Sequence, residues 1–454
     1  MEGNRRNFIK GAAGAALFSS TVLGANDRIN VGVVGIGARF NLLDAAYYKQ
    51  DDASVAAICD INPNRLDAYR TKYQEKKFQV FKDYRQMFES KDIDAVVICT
   101  PDHQHAPAMI AAIQAGKDVY VDKPASNTVE AAVAMLKAYR SHDRVVQLGT
   151  QQRSWDHFRA AAKLIWDGYI GDVTHVIVAH NAGYPSGGGR GRQVFPAEKL
   201  EGLDWNAFLG PAKKVPYDPL RYANWRAYWD YGGGMVTDWG VHWIDIVHLC
   251  MKSDYEGPSY TSSVCVPNSD AELVSTDWFI NYKYSKYLMS FIGIAPSTTE
   301  PVVEGPTFYG TKGWLRVNRN GYIVRANRTP VRLAFTAAGQ AAARAAEGKS
   351  DSPGPGGPPT GALAEPGEAW RRAAQTPPIN DITEVDPVKN VPGERGSEVA
   401  HVRNFLDCVK SRQKPVAEFE IGFHSTLSCL LGLLSIQQQR AIVWDEKTLI
   451  ARFA

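Results

Sequence analysis

The sequence predicts an α/β protein: an N-terminal doubly wound parallel sheet, then a C-terminal α/β domain with a large, mostly antiparallel open sheet. Three observations carry this. Short apolar runs alternate with amphipathic segments from Arg28 to about residue 149, and a glycine turn follows the first run. Beyond Thr150 the texture changes to aromatic-rich stretches that alternate apolar with polar residues.

The runs "INVGVVG", "SVAAICD", "DAVVICT", "DVYVDKP" and "VVQLGT" are apolar nearly throughout, as strands buried on both faces require. Amphipathic segments at residues 39–49 and 63–73, with "APAMIAAIQAG" and "TVEAAVAMLKAYRSH", predict the crossover helices between them. Thr128, followed by Glu130, makes a helix start. Pro124 lacks a ladder donor and pushes Lys123 towards an extended backbone, so the strand stops there with Lys123 at its tip. In the second part, "STDWFINYKYSKYLMSFIGI" alternates as half-exposed antiparallel strands do. Residues 337–393, rich in Ala, Gly and Pro, bury too little apolar surface to order themselves and are read as an exposed insertion. "SEVAHVRNFLDCVKS" predicts a helix, and "LSCLLGLLSIQQQRAIVW" a helix followed by a short strand.

With 454 residues, the chain is long enough for two domains, read as 28–149 and 150–454. A formal charge of only +3, with no long basic run, argues against nucleic acid as a partner. The 6 cysteines show no CxxC spacing and are expected to be buried free thiols. Residues 1–25 read as a cleaved leader: Arg5-Arg6 precede a weakly apolar Gly/Ala-rich stretch too short to span a bilayer. The order resembles a twin-arginine signal, which implies a periplasmic location and no membrane anchor.

Gly35-Ile36-Gly37-Ala38-Arg39-Phe40 follows the first strand and opens a helix. Two glycines let the backbone approach a pyrophosphate at the helix N-terminus, although Phe40 stands where the usual motif has a third glycine. Asp60 ends the second predicted strand about 20 residues on, where an acidic side chain hydrogen-bonds an adenosine ribose and disfavours a 2'-phosphate. The alternative is a turn residue before Asn62-Pro63. Together these predict a Rossmann domain that binds NAD rather than NADP. Thr100-Pro101 and Lys123-Pro124 end two further strands on the same edge, so Lys123 faces the site. In "TDWGVHWIDIVH", Asp238, His242 and Asp245 are spaced to share one helix face. A histidine beside a carboxylate can be held in one tautomer and take a hydroxyl proton. A metal site from Asp238, His242 and His248 is the weaker alternative. Seven of the 11 tryptophans fall between Trp155 and Trp243, and aromatic faces suit pyranose rings. Trp225 and Trp239 are assigned to the pocket, with Gln152, Arg153, Asn206 and Arg226 as polar neighbours for hydroxyls. "SGGGRGR" reads as a loop near the substrate.

The glycine turn, "CDINPNR", "TPDHQHA", "VYVDKPAS" and "GGGMVTDWGVHWIDIVH" together resemble the Gfo/Idh/MocA family of nicotinamide-dependent sugar and polyol oxidoreductases. Asp122-Lys123-Pro124 stands where the family has Glu-Lys-Pro, and Asp102 where it has Asn. The resemblance implies Lys123, His242 and Asp238 as catalytic residues, and Gly35, Gly37, Ala38, Arg39, Asp60, Thr100, Pro101, His105 and Lys123 as cofactor-binding. Arg153, Trp225, Trp239 and Asp245 are read as substrate residues from their chemistry and spacing, while the resemblance implies a dimer or tetramer built through the second-domain sheet. An exported enzyme of this kind is expected to hold its NAD tightly and return the hydride within one cycle. Two outcomes follow: oxidation and reduction of sugars, or glycoside cleavage through a transient keto-sugar. A non-catalytic sugar-binding protein is the alternative from another class.

Overall fold

The computed structural model describes residues 28–181, 201–294, 303–326 and 396–454. The expected leader, the "SGGGRGR" loop and the insertion at 337–393 lie outside the described residues.

Six strands form the first sheet: β1 (Ile29–Val34), β2 (Ala53–Cys59), β3 (Gln79–Phe81), β4 (Ala95–Ile98), β5 (Asp118–Val121) and β6 (Val146–Leu148). All are parallel, in the order β3-β2-β1-β4-β5-β6. The order reverses between β1 and β4, which opens a crevice beyond their carboxyl ends. β3 is a half-exposed edge strand of only three residues, too short to stand out in the sequence. Helix Pro63–Lys72 starts as its sequence requires, with Pro63 in the first turn and the Asn62 side chain accepting from Asn64 N. Thr128 caps helix Val129–Ser141 through Ala131 N.

Nine strands form the second sheet: β7 (Val173–Asn181), β8 (Tyr260–Val266), β9 (Asp277–Lys283), β10 (Leu288–Ile294), β11 (Gly305–Gly310), β12 (Gly313–Asn318), β13 (Gly321–Ala326), β14 (Ile442–Asp445) and β15 (Ile450–Phe453). The order is β13-β12-β11-β7-β10-β9-β8-β14-β15, antiparallel except for β7 beside β10. Its inner face packs against helices Asp156–Trp166, Gly240–Met251 and Phe419–Gln438. The last is long and apolar enough to cross a membrane, yet 89% of its apolar window is buried in this core. The outer face leaves Val264 and, opposite it, Phe279 exposed, with Ile292 half-buried on the far side of Phe279.

Helix Gly396–Ser411 returns to the first sheet. Val402, Phe405 and Leu406 recur at helical spacing and are buried against β1 and Tyr120, so this late segment completes the nucleotide-side core. All six cysteines are free thiols, five of them buried.

Arg153 and Asp245, expected at the substrate, are instead buried against each other. Arg153 Nε lies 2.8 Å from both Asp245 carboxylate oxygens, and its Nη2 lies 2.5 Å from Asp254. This charge cluster fastens the turn Gln151–Ser154, at the domain crossover, to helix Gly240–Met251. The residue types were right for sugar hydroxyls, but a guanidinium whose Nε–H is shared by both Asp245 oxygens and whose Nη2 reaches Asp254 is satisfied within the protein. Arg153→Met leaves the Asp245 charge buried without its partner, and urea unfolding is expected to show a loss of about 3–5 kcal/mol. Unchanged stability with weaker sugar binding would restore the substrate role.

Candidate active site

A cleft of about 500 Å³ runs across the carboxyl ends of the first sheet, lined by Gly35, Gly37, Ala38, Arg39, Asp60, Thr100, Pro101, Asp102 and Lys123. Gly35 has φ +84°, and a Cβ there would stand 2.8 Å from the Cys99 carbonyl oxygen, so only glycine fits the turn. Arg39 stands at the start of helix Phe40–Tyr48, whose Asn41 and Leu42 amides donate to the Gly37 and Arg39 carbonyls at 3.1 Å. Its Nε donates to Asp122 Oδ1 at 3.0 Å, while Nη2 is buried without a partner. Burial works against the Arg39 charge, and Asp122, Tyr120, Cys99 and Glu398 more than offset it. Thr100 Oγ1 is also buried and unpartnered in the cleft wall. Unsatisfied donors beside a glycine turn fit a pyrophosphate. Asp60 Oδ2 accepts from Ile36 N at 3.0 Å and Oδ1 from Asn62 N at 2.8 Å, which aims the carboxylate along the cleft where a ribose would lie.

His105 does not line this cleft. Its Nδ1 lies 2.7 Å from the Pro124 carbonyl and its Nε2 2.9 Å from the Thr100 carbonyl, so it braces the two strand tips from behind. The cofactor assignment is therefore corrected to a positioning one. Asp102, by contrast, faces the cleft; burial pushes its carboxyl well above the usual range, although Arg226 and Lys123 oppose this. A protonated carboxyl offers one donor and one acceptor, as the amide it replaces would.

Lys123 crosses to the second half of the molecule. Its Nζ donates to the Asp238 carbonyl and to Asp238 Oδ1, both at 2.5 Å, leaving its third N–H direction for a ligand. Arg226 Nε stands 3.4 Å from the same carboxylate oxygen. Burial works against the Asp238 charge, but Lys123 and Arg226 hold it below the usual carboxylate range. Asp238 thus pairs with Lys123 rather than orienting His242, as i, i+4 spacing suggested. The reason is local: Asp238 ends helix Gly234–Asp238, and a new helix starts at Gly240. An ammonium and a guanidinium within reach then take the carboxylate. His242 Nδ1 is buried without a partner, while Gln152 donates to the His242 carbonyl at 3.1 Å. Burial, then the positive charges of Lys123 and Arg319, push the imidazole well below its ordinary range, so it is neutral. His248, the third member of the alternative metal set, bonds the Tyr284 hydroxyl at 2.9 Å.

Trp225 lines the cleft with the Arg226 guanidinium 4.4 Å above its ring. Trp239 packs beside the site, 5.1 Å from the His180 ring, 6.0 Å from His242 and 4.3 Å from the Arg319 guanidinium. His180, Glu304 and Arg319 were not expected here. One signal existed for His180: it continues the buried stripe of Val176 and Val178 on β7, where the pattern calls for another apolar residue. Residues 201–231 were expected to supply Asn206, Trp225 and Arg226, but not a covering element. They form a strap with its own apolar cluster of Leu203, Trp205, Phe208, Leu209, Tyr222 and Tyr231. The strap lies over the adenosine end of the cleft. Gln104 Nε2 donates to the Ala207 and Phe208 carbonyls at 2.8 Å, His103 Nε2 to Phe208 O at 2.7 Å, and Asn62 to the Tyr222 hydroxyl at 2.9 Å.

Two domain models of one family match the chain in order: the oxidoreductase-family NAD-binding Rossmann fold over residues 29–150, and the oxidoreductase-family C-terminal alpha/beta domain over 157–309. The chain belongs to the Gfo/Idh/MocA family, and residues 29–150 are an NAD-binding Rossmann domain. Among curated relatives, it is 28% identical to myo-inositol 2-dehydrogenase of Thermotoga maritima over 32% of this chain and 42% of that one. It is 30% identical to a glycosyl hydrolase family 109 protein of Stenotrophomonas maltophilia, over 40% of this chain and 42% of that one. The match thus spans less than half the length of either relative. A solved levoglucosan dehydrogenase, in complex with NADH and levoglucosan, superposes with TM-score 0.62 at 16% identity, covering 92% of this chain and 99% of that one. At this identity the likeness shows the shared fold.

Two outcomes check the site. Gly35→Ala is expected to strain the turn by about 1–3 kcal/mol and to strip nicotinamide from the purified protein; full cofactor content would contradict the cradle. A histidine held below its ordinary value keeps its proton-accepting form on acidification, so the acid limb of kcat/KM is expected below pH 6.5, the ordinary histidine value. A limb above that value contradicts a neutral His242.

Proposed function

We propose that the protein oxidises a secondary hydroxyl of a sugar, glycoside or polyol with NAD held in the strapped cleft. The observation that carries this is Lys123 at a strand tip of the nucleotide sheet, bonded to Asp238 of the second half, beside a neutral His242. Bound NAD⁺ supplies the hydride acceptor. The free N–H of Lys123 positions the hydroxyl oxygen. His242 takes its proton, since Lys123 is already committed as a donor to Asp238. Asp238 and Arg226 fix the lysine, while Trp225 and Trp239 offer faces for the ring. The levoglucosan complex of one fold neighbour and the inositol dehydrogenases among the relatives favour a polyhydroxylated substrate.

The strap supports tight retention of the cofactor, because adenosine could leave only after the Gln104, His103 and Tyr222 bonds open. Retention in turn suits the export expected from the N-terminal sequence. The exposed apolar pair of Val264 and Phe279 supports a homo-oligomer joined through the second sheet. Glycoside cleavage through a transient keto-sugar is the second reading, favoured by the similarity to a glycosyl hydrolase family 109 protein.

Lys123→Ala and His242→Ala are each expected to slow nicotinamide reduction by a sugar panel roughly 10²–10⁴-fold; near-normal rates in both contradict the mechanism. Denaturing the purified protein is expected to release close to one nicotinamide per subunit. Gln104→Ala, which removes two strap bonds, is expected to speed NAD release about tenfold. An unchanged release rate would mean that the strap does not hold the cofactor.

A further inference from the structure

Lys123 holds the hydroxyl oxygen and Arg226 supports Asp238, but oxidation of an alcohol gives no task to a further cation at the site, Arg319. This residue stands on the turn between β12 and β13, and the turn is pinned. Asn318 Nδ2 donates to the Glu304 carbonyl at 3.3 Å, and the Asn318 carbonyl accepts from His157 Nε2 at 2.8 Å. The side chain is aimed as well. Arg319 Nε donates to Gln152 Oε1 at 2.8 Å, and the guanidinium lies 4.3 Å over the Trp239 ring. Gln152 Nε2 in turn donates to the His242 carbonyl at 3.1 Å, so one buried amide sets the spacing between the guanidinium and the proton acceptor. A guanidinium held on an indole keeps its donors in a fixed plane, the geometry that matches a carboxylate. The local field points the same way. Burial brings the Arg319 guanidinium down to about 10 and Arg39 adds to this, while Glu398, Asp238 and Glu304 offset only part of it. After burial, the groups that depress His242 are all cationic, Lys123 and Arg319 foremost, so the space beside it favours negative charge.

We propose that Arg319 selects an acidic substrate: it binds the carboxylate of a uronic or aldonic acid while Lys123 and His242 act on one of that molecule's hydroxyls. This rests on the oxidoreductase reading and narrows its substrate. The Gln152 bridge is what ties the two recognition points together, because it fixes the guanidinium relative to the helix that carries His242. Neutral sugars occupy the same place more weakly, since they add nothing to the compensation of the Arg319 charge. A sugar phosphate is disfavoured too. Its second negative charge would meet Asp238, Glu304 and Glu398, the carboxylates that already act on Arg319.

The test measures binding and needs no turnover. Calorimetric titration of the holoprotein compares each acid with its neutral counterpart: glucuronate with glucose, galacturonate with galactose, and gluconate with sorbitol. Glucose 6-phosphate is the phosphate probe. At least one acid is expected to bind about 10–100-fold tighter than its counterpart, the range of a hydrogen bond to a charged group. Arg319→Gln is expected to bring that ratio to within about threefold of one, whereas a merely structural role would weaken acid and neutral sugar alike. Arg319→Lys keeps the charge without the planar fork, so it is expected to retain part of the ratio, and it carries the test if Arg319→Gln does not fold. No preference for any acid, a preference unchanged in both variants, or tighter binding of glucose 6-phosphate than of glucuronate overturns the assignment. An acid that binds through Arg319 yet never reduces the nicotinamide would leave this site standing and sink the oxidoreductase reading.

Discussion

The arrangement of the site hangs on one contact between its halves, the Lys123 ammonium on Asp238. The lysine comes from the carboxyl end of β5 and the aspartate from the end of a short helix packed on helices Gly240–Met251 and Phe419–Gln438, so the bond fixes what stands over the nucleotide crevice. It also divides the labour. A lysine that already donates twice is suited to hold an oxygen, and proton acceptance falls to a group without a partner. His242 is such a group, because burial and the surrounding cations keep it neutral.

Around that bond, buried charge serves positioning more than chemistry. Arg153, Asp245 and Asp254 lock the crossover turn to the long helix, and Arg39 and Asp122 tie the glycine turn to the strand tip that carries Lys123. His105 joins the tips of β4 and β5 from behind. Breaking such pairs leaves charge or polar atoms stranded in low dielectric, so the scaffold resists the sub-ångström drift that would misalign a hydride transfer.

The nucleotide half was legible because its signals are local. Apolar runs of strand length, a glycine turn directly after one of them and a proline that stops another depend on near neighbours, and the structure places them as their chemistry dictates. Residue types at the site were legible too, but partners were not. Arg153 and Asp245 carried the right groups for a sugar and proved to satisfy one another. Asp238 and His242 had the right spacing for a dyad, which a helix break and a distant lysine undid. His180 and Glu304 are 124 residues apart in the chain and meet only because the antiparallel pairing of β11 with β7 brings them together. The strap was unreadable for the same reason: its aromatic residues signal burial, but only the fold shows that they close the cofactor cleft.

The most direct measurement follows the hydrogen itself. The holoprotein is incubated with glucosides deuterated in turn at each secondary carbon, and the released nicotinamide is read by mass spectrometry and NMR. Deuterium delivered to the nicotinamide ring from a single sugar carbon, and lost in His242→Ala, is the expected result. A protein that holds nicotinamide and binds the sugar, yet never labels the ring from any position, would contradict hydride transfer at this site.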